Sequence, residues 1–217
     1  MSTLPSKRSK LYNVLVNWFS KNPKRYNLIH LVLNWGLPYD QVAQLIDLKS
    51  DDSVLEIACG PALILDYIGE SKYIGIDLNE DHLKYARYKF SSRKNTKFIH
   101  SDILGYNFSQ HGKFDKVLML GFMHHLSDKD LKQTLSIVVQ LLNKENPDSS
   151  LVTFDPVRTK YHFISNKLCD LDVGRYVRYK GEYLNLLSKD FNVLNSNVIS
   201  SRTKASMYII NRAFSNL

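Results

Sequence analysis

Three acidic side chains and one small-residue turn carry most of the chemistry legible in this chain. An apolar, β-branched run (Val54, Leu55, Ile57) holds Glu56 near its end and passes into Ala58-Cys59-Gly60-Pro61-Ala62, after which Leu63 to Ile68 are again mostly apolar. That order reads as a strand, a tight loop and the start of a helix, an arrangement in which backbone N–H groups approach a ligand closely. A second apolar run, Tyr73 to Ile76, ends at Asp77, 21 positions after Glu56. The spacing fits an acidic side chain at the tip of a second strand, accepting hydrogen bonds from ribose hydroxyls. A dinucleotide fingerprint would place its last small residue three positions after Gly60, where Leu63 stands, so a nicotinamide site is disfavoured.

Further candidates fall just beyond strand ends, where an open α/β sheet binds its ligands. His125 follows a fourth apolar run and either accepts a proton or packs the turn; His124 beside it is the weaker candidate. Asp155, next to Pro156, either meets substrate or acts as a base, or else caps the end of a fifth run. Tyr161 and His162 face substrate or form the core of a lid, and Tyr26 either closes over a ligand or packs near the start of the chain. Arg175 and Arg178 flank Tyr176 and suit a carboxylate or phosphate clamp, or else pair with Asp170 and Asp172. No His or Cys spacing suggests a metal site, and adjacent His124 and His125 do not share a helical face.

The elements that must position these groups alternate. Strands are expected at 53–57, 73–76, 97–100, 116–120 and 151–154, with helices from Asn79 to about Phe90 and from Ser127 to about Leu142. Alternation with short links predicts a doubly wound, mostly parallel sheet. The last two strands, 191–199 and 205–212, are joined by a link too short for a parallel crossover, so they form an antiparallel hairpin. Two helices over 10–34, divided near Asn22-Pro23, and a third over 39–48 make an N-terminal helical cap (1–48) on a Rossmann-like domain (49–217). Residues 157–181 are too long for a simple link and are expected to be a cap insert with a small helix over 163–168.

With these residues in view, the chain resembles the class I S-adenosylmethionine-dependent methyltransferases. Glu56 to Ala62 looks like that family's first motif, acidic-x-Gly-x-Gly-x-Gly, with Ala58 and Ala62 standing where glycine is usual. Ile76-Asp77-Leu78-Asn79 resembles the ribose-binding loop, Ser101-Asp102-Ile103 the adenine-contacting loop, and Phe114 to Leu126 the fourth strand with a His-His-Leu turn of small-molecule members. The resemblance covers about residues 50–156 and implies a seven-stranded sheet ending in a reversed strand. It further implies an S-adenosyl-L-methionine site built from Glu56, Ala58, Gly60, Pro61, Asp77, Leu78, Asp102, Ile103 and Leu120. The implied activity is methyl transfer to a small or medium-sized metabolite by in-line displacement. Two rivals remain open: an RNA methyltransferase, and a non-catalytic binding protein that keeps the fold.

Composition narrows the classes further. The 217 residues suffice for one well-buried domain with an appendage, and 44% hydrophobic with 23% charged residues is the balance of a globular protein. No run approaches the ~20 apolar residues of a membrane span. The first ten residues are polar and basic, so no secretory leader is expected and a cytoplasmic location is the default. Cys59 and Cys169 suggest no disulfide framework. The net charge of +8 is split: residues 1–30 carry six Lys/Arg and no acids, residues 31–155 thirteen against seventeen, and residues 156–217 ten against four. Either the basic ends are solvated surface, or they fold over the mouth of the site and favour an anionic substrate.

Overall fold

The computed structural model describes residues 37–172 and 174–216. Seven strands form one sheet: β1 (Ser53–Ile57), β2 (Lys72–Asp77), β3 (Thr96–His100), β4 (Lys116–Leu120), β5 (Ser150–Pro156), β6 (Phe191–Ser200) and β7 (Met207–Ser215). Their order is β3-β2-β1-β4-β5-β7-β6, with β7 antiparallel to both β5 and β6. The other pairings are parallel. The strand order reverses between β1 and β4, and at such a switch point the carboxyl ends of the strands open a crevice.

Both faces of the central strands are buried, which explains why they read as continuous apolar runs. Leu55, Ile57, Val117, Met119 and Leu151 pack on one face, and Val54, Leu118, Val152 and Phe154 on the other. Among the described residues, five α-helices flank the sheet: α1 (Tyr39–Ile46), α2 (Glu80–Lys89), α3 (Asp128–Leu141), α4 (Phe163–Leu171) and α5 (Lys180–Leu187). Helix α2 starts where Asn79 accepts bonds from the amides of Asp81 and His82, with Glu80 and Asp81 in its first turn and Arg87 and Lys89 in its last. Ser127 caps α3 in the same way, accepting from the amide of Asp130 at 3.2 Å.

The structure departs from expectation at three places. After β1 the chain makes only a four-residue 3-10 turn, Leu63–Asp66, rather than a helix. Residues 58–71 must hold the loop and return to β2, which leaves too little chain for helical turns to pack. Helix α5 begins at Lys180, inside the segment expected to be loop, and sends Tyr183, Leu186 and Leu187 into the core. Its spacing i, i+3, i+4 was readable, and Glu182 reaches back to the amide of Tyr179 at 2.7 Å to cap it. Helix α4 runs three residues beyond the expected end, to Leu171. The expected helices over 10–34, and Tyr26 with them, lie outside the described residues.

Candidate active site

The loop after β1 owes its shape to three residues in the left-handed region: Ala58 at φ 55°, Gly60 at φ 52° and Ala62 at φ 53°. These are the three glycine positions of the expected motif. Two alanines therefore hold a conformation that costs an L-residue ~1–2 kcal/mol each. Asp77, at the end of β2, fixes the loop from the side. One carboxylate oxygen accepts from the amide of Gly60 and the other from the amide of Asn79, each at 2.7 Å. The amide of Cys59 donates to the carbonyl of Ile76 at 3.1 Å, a second tie between loop and strand.

Ala58→Gly offers a direct measure of the strain. Glycine removes the steric cost but gives the unfolded chain ~0.4–1 kcal/mol more entropy to lose. A net gain of about 0.5–1 kcal/mol is expected, or roughly 1–4 °C in a thermal melt. An unchanged or lower melting temperature would show the loop to be relaxed as it stands. Ala58 is the better position for this test because Ala62 is fully buried in the core, where its methyl group also packs.

The loop fits an adenosyl cofactor by two observations. A Cβ built on Gly60 would stand 3.7 Å from the His82 Nδ1, an ordinary van der Waals contact, so no protein atom crowds the loop at the glycine. Each Asp77 oxygen has one protein donor and thus keeps acceptor capacity for a ribose hydroxyl. Leu78, next along, is 68% exposed, an apolar side chain at the lip of the site. Asp102 follows β3 and is exposed, with one carboxylate oxygen accepting from the amide of Leu104 at 3.0 Å. Ile103 is buried in the core beside it, and Leu120 is half-buried at the end of β4.

Glu56 departs from its expected place in direct contact with cofactor. It is 3% exposed and bonded to the Tyr73 hydroxyl, beneath the loop rather than on its surface. Burial raises its carboxyl to about 8; the Tyr73 hydrogen bond opposes this and the charge of Asp77 adds to it. Pro61 is likewise buried.

At the carboxyl ends of β4 and β5 the two histidines separate into different roles. Asp155, expected to meet substrate or act as base, is 1% exposed and turned inward. One of its oxygens accepts from the His124 amide at 3.1 Å and lies 2.8 Å from the His124 Nδ1. The His124 Nε2 lies 3.4 Å from Asp172 in the insert. Burial alone would push His124 down, but the hydrogen bonds and charges of the two carboxylates outweigh it and hold its pKa at about 9. His125 instead keeps an open side to solvent. Loss of hydration, and then the charge on His124, bring it down to about 4, against a weaker upward pull from Asp172.

The insert is stitched to this turn, and Arg178 is the main stitch. Its guanidinium donates to the carbonyls of Met123, Tyr176 and Leu126 and, through two nitrogens, to Asp128. All five N–H groups are used, and the side chain is 7% exposed. The expectation that Arg178 binds an anionic substrate is therefore overturned. Arg175 is exposed and shares no clamp with it. Tyr161 is 93% exposed and His162 is also exposed, both before α4 on the outside of the insert.

The network joining His124, Asp155, Asp172 and Gly174 was not foreseen. A faint signal was Asp172 two residues before Gly174, a turn in which the Gly174 amide donates to Asp172 at 2.6 Å. Among the described residues, no group of three or more His, Cys, Asp or Glu is placed to hold a metal ion. No helix among them is long and apolar enough to cross a membrane.

A doubly wound sheet with a reversed last strand, a tight loop after β1 and a carboxylate at the end of β2 is the α/β architecture shared with Rossmann-like methyltransferase structures. Residues 54–145, a little over two fifths of the chain, match the family model described as a methyltransferase domain. YqeM of Bacillus subtilis (strain 168), assigned to the methyltransferases, is 32% identical over 117 residues, 50% of this chain and 46% of that protein. A probable fatty acid methyltransferase of Pseudomonas putida is 27% identical over 97 residues, 43% of this chain and 25% of that protein. The chain thus spans between a quarter and a half of the length of these relatives. The N-methyltransferase NodS of Bradyrhizobium japonicum WM9, solved with S-adenosyl-L-homocysteine, superposes with a TM-score of 0.66 at 14% identity, over 82% of this chain and 86% of that one. At that identity the likeness is one of fold.

Proposed function

We propose that this protein transfers a methyl group from S-adenosyl-L-methionine to a nucleophilic atom of a small or medium-sized metabolite. The observation that carries the reading is the loop of three left-handed residues held to Asp77, whose carboxylate keeps spare acceptor capacity for an adenosyl group's ribose. The cofactor, when bound, supplies the methyl group on a positively charged sulfur. The chain's own part is mostly alignment, an effect worth ~7–11 kcal/mol when reacting atoms are held in line.

In this reading Asp77 holds the ribose, Asp102 borders the adenine, and His125 takes the proton of an attacking hydroxyl or ammonium. Its place on an exposed turn at the carboxyl end of β4 puts the ring where an acceptor would stand. With Arg178 fully engaged, an anionic group on the acceptor is left to the exposed Arg175. The name of the Pseudomonas putida relative fits a carboxylate-bearing acceptor.

Asp77→Ala removes the ribose contacts and both loop ties together. Cofactor affinity is expected to fall by ~2–3 kcal/mol, about 30- to 150-fold, in calorimetric titration. Wild-type affinity in this variant would overturn the site. A labelled-methyl screen against metabolite extract and total RNA in parallel then tests the acceptor. Label in RNA alone, with a steep loss of binding in salt, would favour the polyanion reading instead.

A further inference from the structure

We propose that His124 is the positioning residue of this site: gripped by Asp155 and Asp172, its ring sets the orientation and the charge state of His125. The inference rests on the reading of His125 as the group that takes the acceptor's proton, and it assigns to its neighbour a role the transfer reaction does not by itself require.

The grip comes from three elements. From β5, Asp155 holds both the amide and the Nδ1 of His124 through a single oxygen, and its second oxygen, Oδ2, finds no partner. From the insert, Asp172 approaches the opposite nitrogen. Gly174 closes against the ring: a Cβ there would lie 2.0 Å from the His124 Cδ2 and 2.9 Å from its carbonyl oxygen. The amide of Tyr176 donates to that same carbonyl at 2.9 Å. His124 therefore has both ring nitrogens facing carboxylates and no freedom to turn.

The ring of His125 lies with its centroid 4.1 Å from that of His124, the planes tilted by 40°. Two histidines at that distance cannot both be charged cheaply. His124, with two carboxylates, takes the charge. His125, with water on one side, is left neutral and able to accept. The charged and titratable groups around the pair are Asp155 from β5, Asp172 and Arg178 from the insert, and Tyr183 from α5. Burial raises the Asp155 carboxyl, against which His124 and, more weakly, Arg178 pull it down; Tyr183 is pushed up by its own burial and then by the charge of Asp155. Neither Arg178 nor Tyr183 reverses the order of the two rings. With the cofactor bound, its sulfonium would supply the methyl group, the sulfur–carbon bond breaking as the acceptor's bond forms, and the acceptor's O–H or N–H proton would leave past the open side of His125 to solvent.

Histidine-ring NMR on the full chain tests this without an acceptor, with the His125 resonance assigned by its loss in His125→Gln. In the wild type His125 is expected to titrate near pH 4, while His124 stays protonated past pH 8. In His124→Gln, whose amide still donates to Asp155, the His125 midpoint is expected to move up only part of the way toward the ordinary histidine value, because burial of the ring remains. A wild-type His125 that titrates near 6.5, or a midpoint unmoved in His124→Gln, overturns the proposal. If that variant does not fold, the two wild-type midpoints decide. The underlying reading fails separately: unimpaired methyl transfer by His125→Gln would remove His125 as proton acceptor while leaving the coupling of the two rings intact.

Discussion

Arg178→Ala is expected to destabilise the fold by about 3–5 kcal/mol and to free the insert from the turn that carries both histidines. The guanidinium is 7% exposed and all its donors are bonded. Hydrogen bonds from a charged donor are worth ~1.5–3 kcal/mol each when a partner is left without one, although such terms do not add fully. Alanine strands three carbonyls at Met123, Leu126 and Tyr176, and it removes the contact to Asp128. That ion pair contributes less, because the Asp128 side chain is 66% exposed. Lysine is expected to recover only part of the loss, since one ammonium cannot reach this fan of acceptors. Urea unfolding of the two variants gives the magnitudes. The sharper readout is cofactor affinity, which should change little in the folded fraction, because Arg178 bonds to the β4–α3 turn and not to the loop after β1. A loss under 1 kcal/mol would mean that water replaces the guanidinium, returning Arg178 to the surface role its sequence context suggested.

How much of this was legible in the sequence follows from the range of each interaction. The sheet was, because parallel strands buried on both faces show as apolar runs whose neighbours in sequence are neighbours in space. The loop was, because a small-residue turn between Glu56 and a second acidic strand tip is a local pattern; Ala58 and Ala62 kept its conformation through tolerated strain. Side-chain depth was not. Nothing near Arg178 in the sequence shows that Met123, Leu126 and Asp128 lie within reach, and Arg-x-x-Arg reads equally well as a surface clamp. Asp155 and His124 are 31 positions apart and meet only because β4 and β5 are paired in register. Glu56 looked like a ligand because acidic residues at strand ends often are. That Tyr73, opposite Val54 on the neighbouring strand, reaches across to it was hidden in the pairing of β1 with β2. Helix α5 was missed for a different reason: its apolar spacing is short and follows an insert with no regular pattern.

Glu56 gives the second large effect, and it appears with pH. The carboxyl is buried with Tyr73 as hydrogen-bond partner, and burial lifts it to about 8 from an ordinary 4.5. A folded-state value above the unfolded one means the native protein holds a proton that the unfolded chain releases. Stability from this group is full below about pH 4.5 and drains away as the pH rises to 8, by roughly 5 kcal/mol at one pKa unit per 1.36 kcal/mol. His124 acts in the same direction over the window from 6.5 to about 9, so the two losses overlap above pH 6.5. Glu56→Gln keeps the side-chain volume and an oxygen for the Tyr73 hydroxyl but cannot ionise. The variant is expected to match the wild type within about 1 kcal/mol at pH 5 and to exceed it by several kcal/mol at pH 8.5. Urea unfolding at pH 5, 7 and 8.5 reads the difference. The slope remaining in Glu56→Gln between pH 6.5 and 9 belongs to His124, and it should vanish when His124→Gln is added. A wild type whose stability stays flat from pH 5 to 8.5 would mean that Glu56 is already ionised in the fold, and that the loop above it rests on a charge rather than on a neutral hydrogen bond.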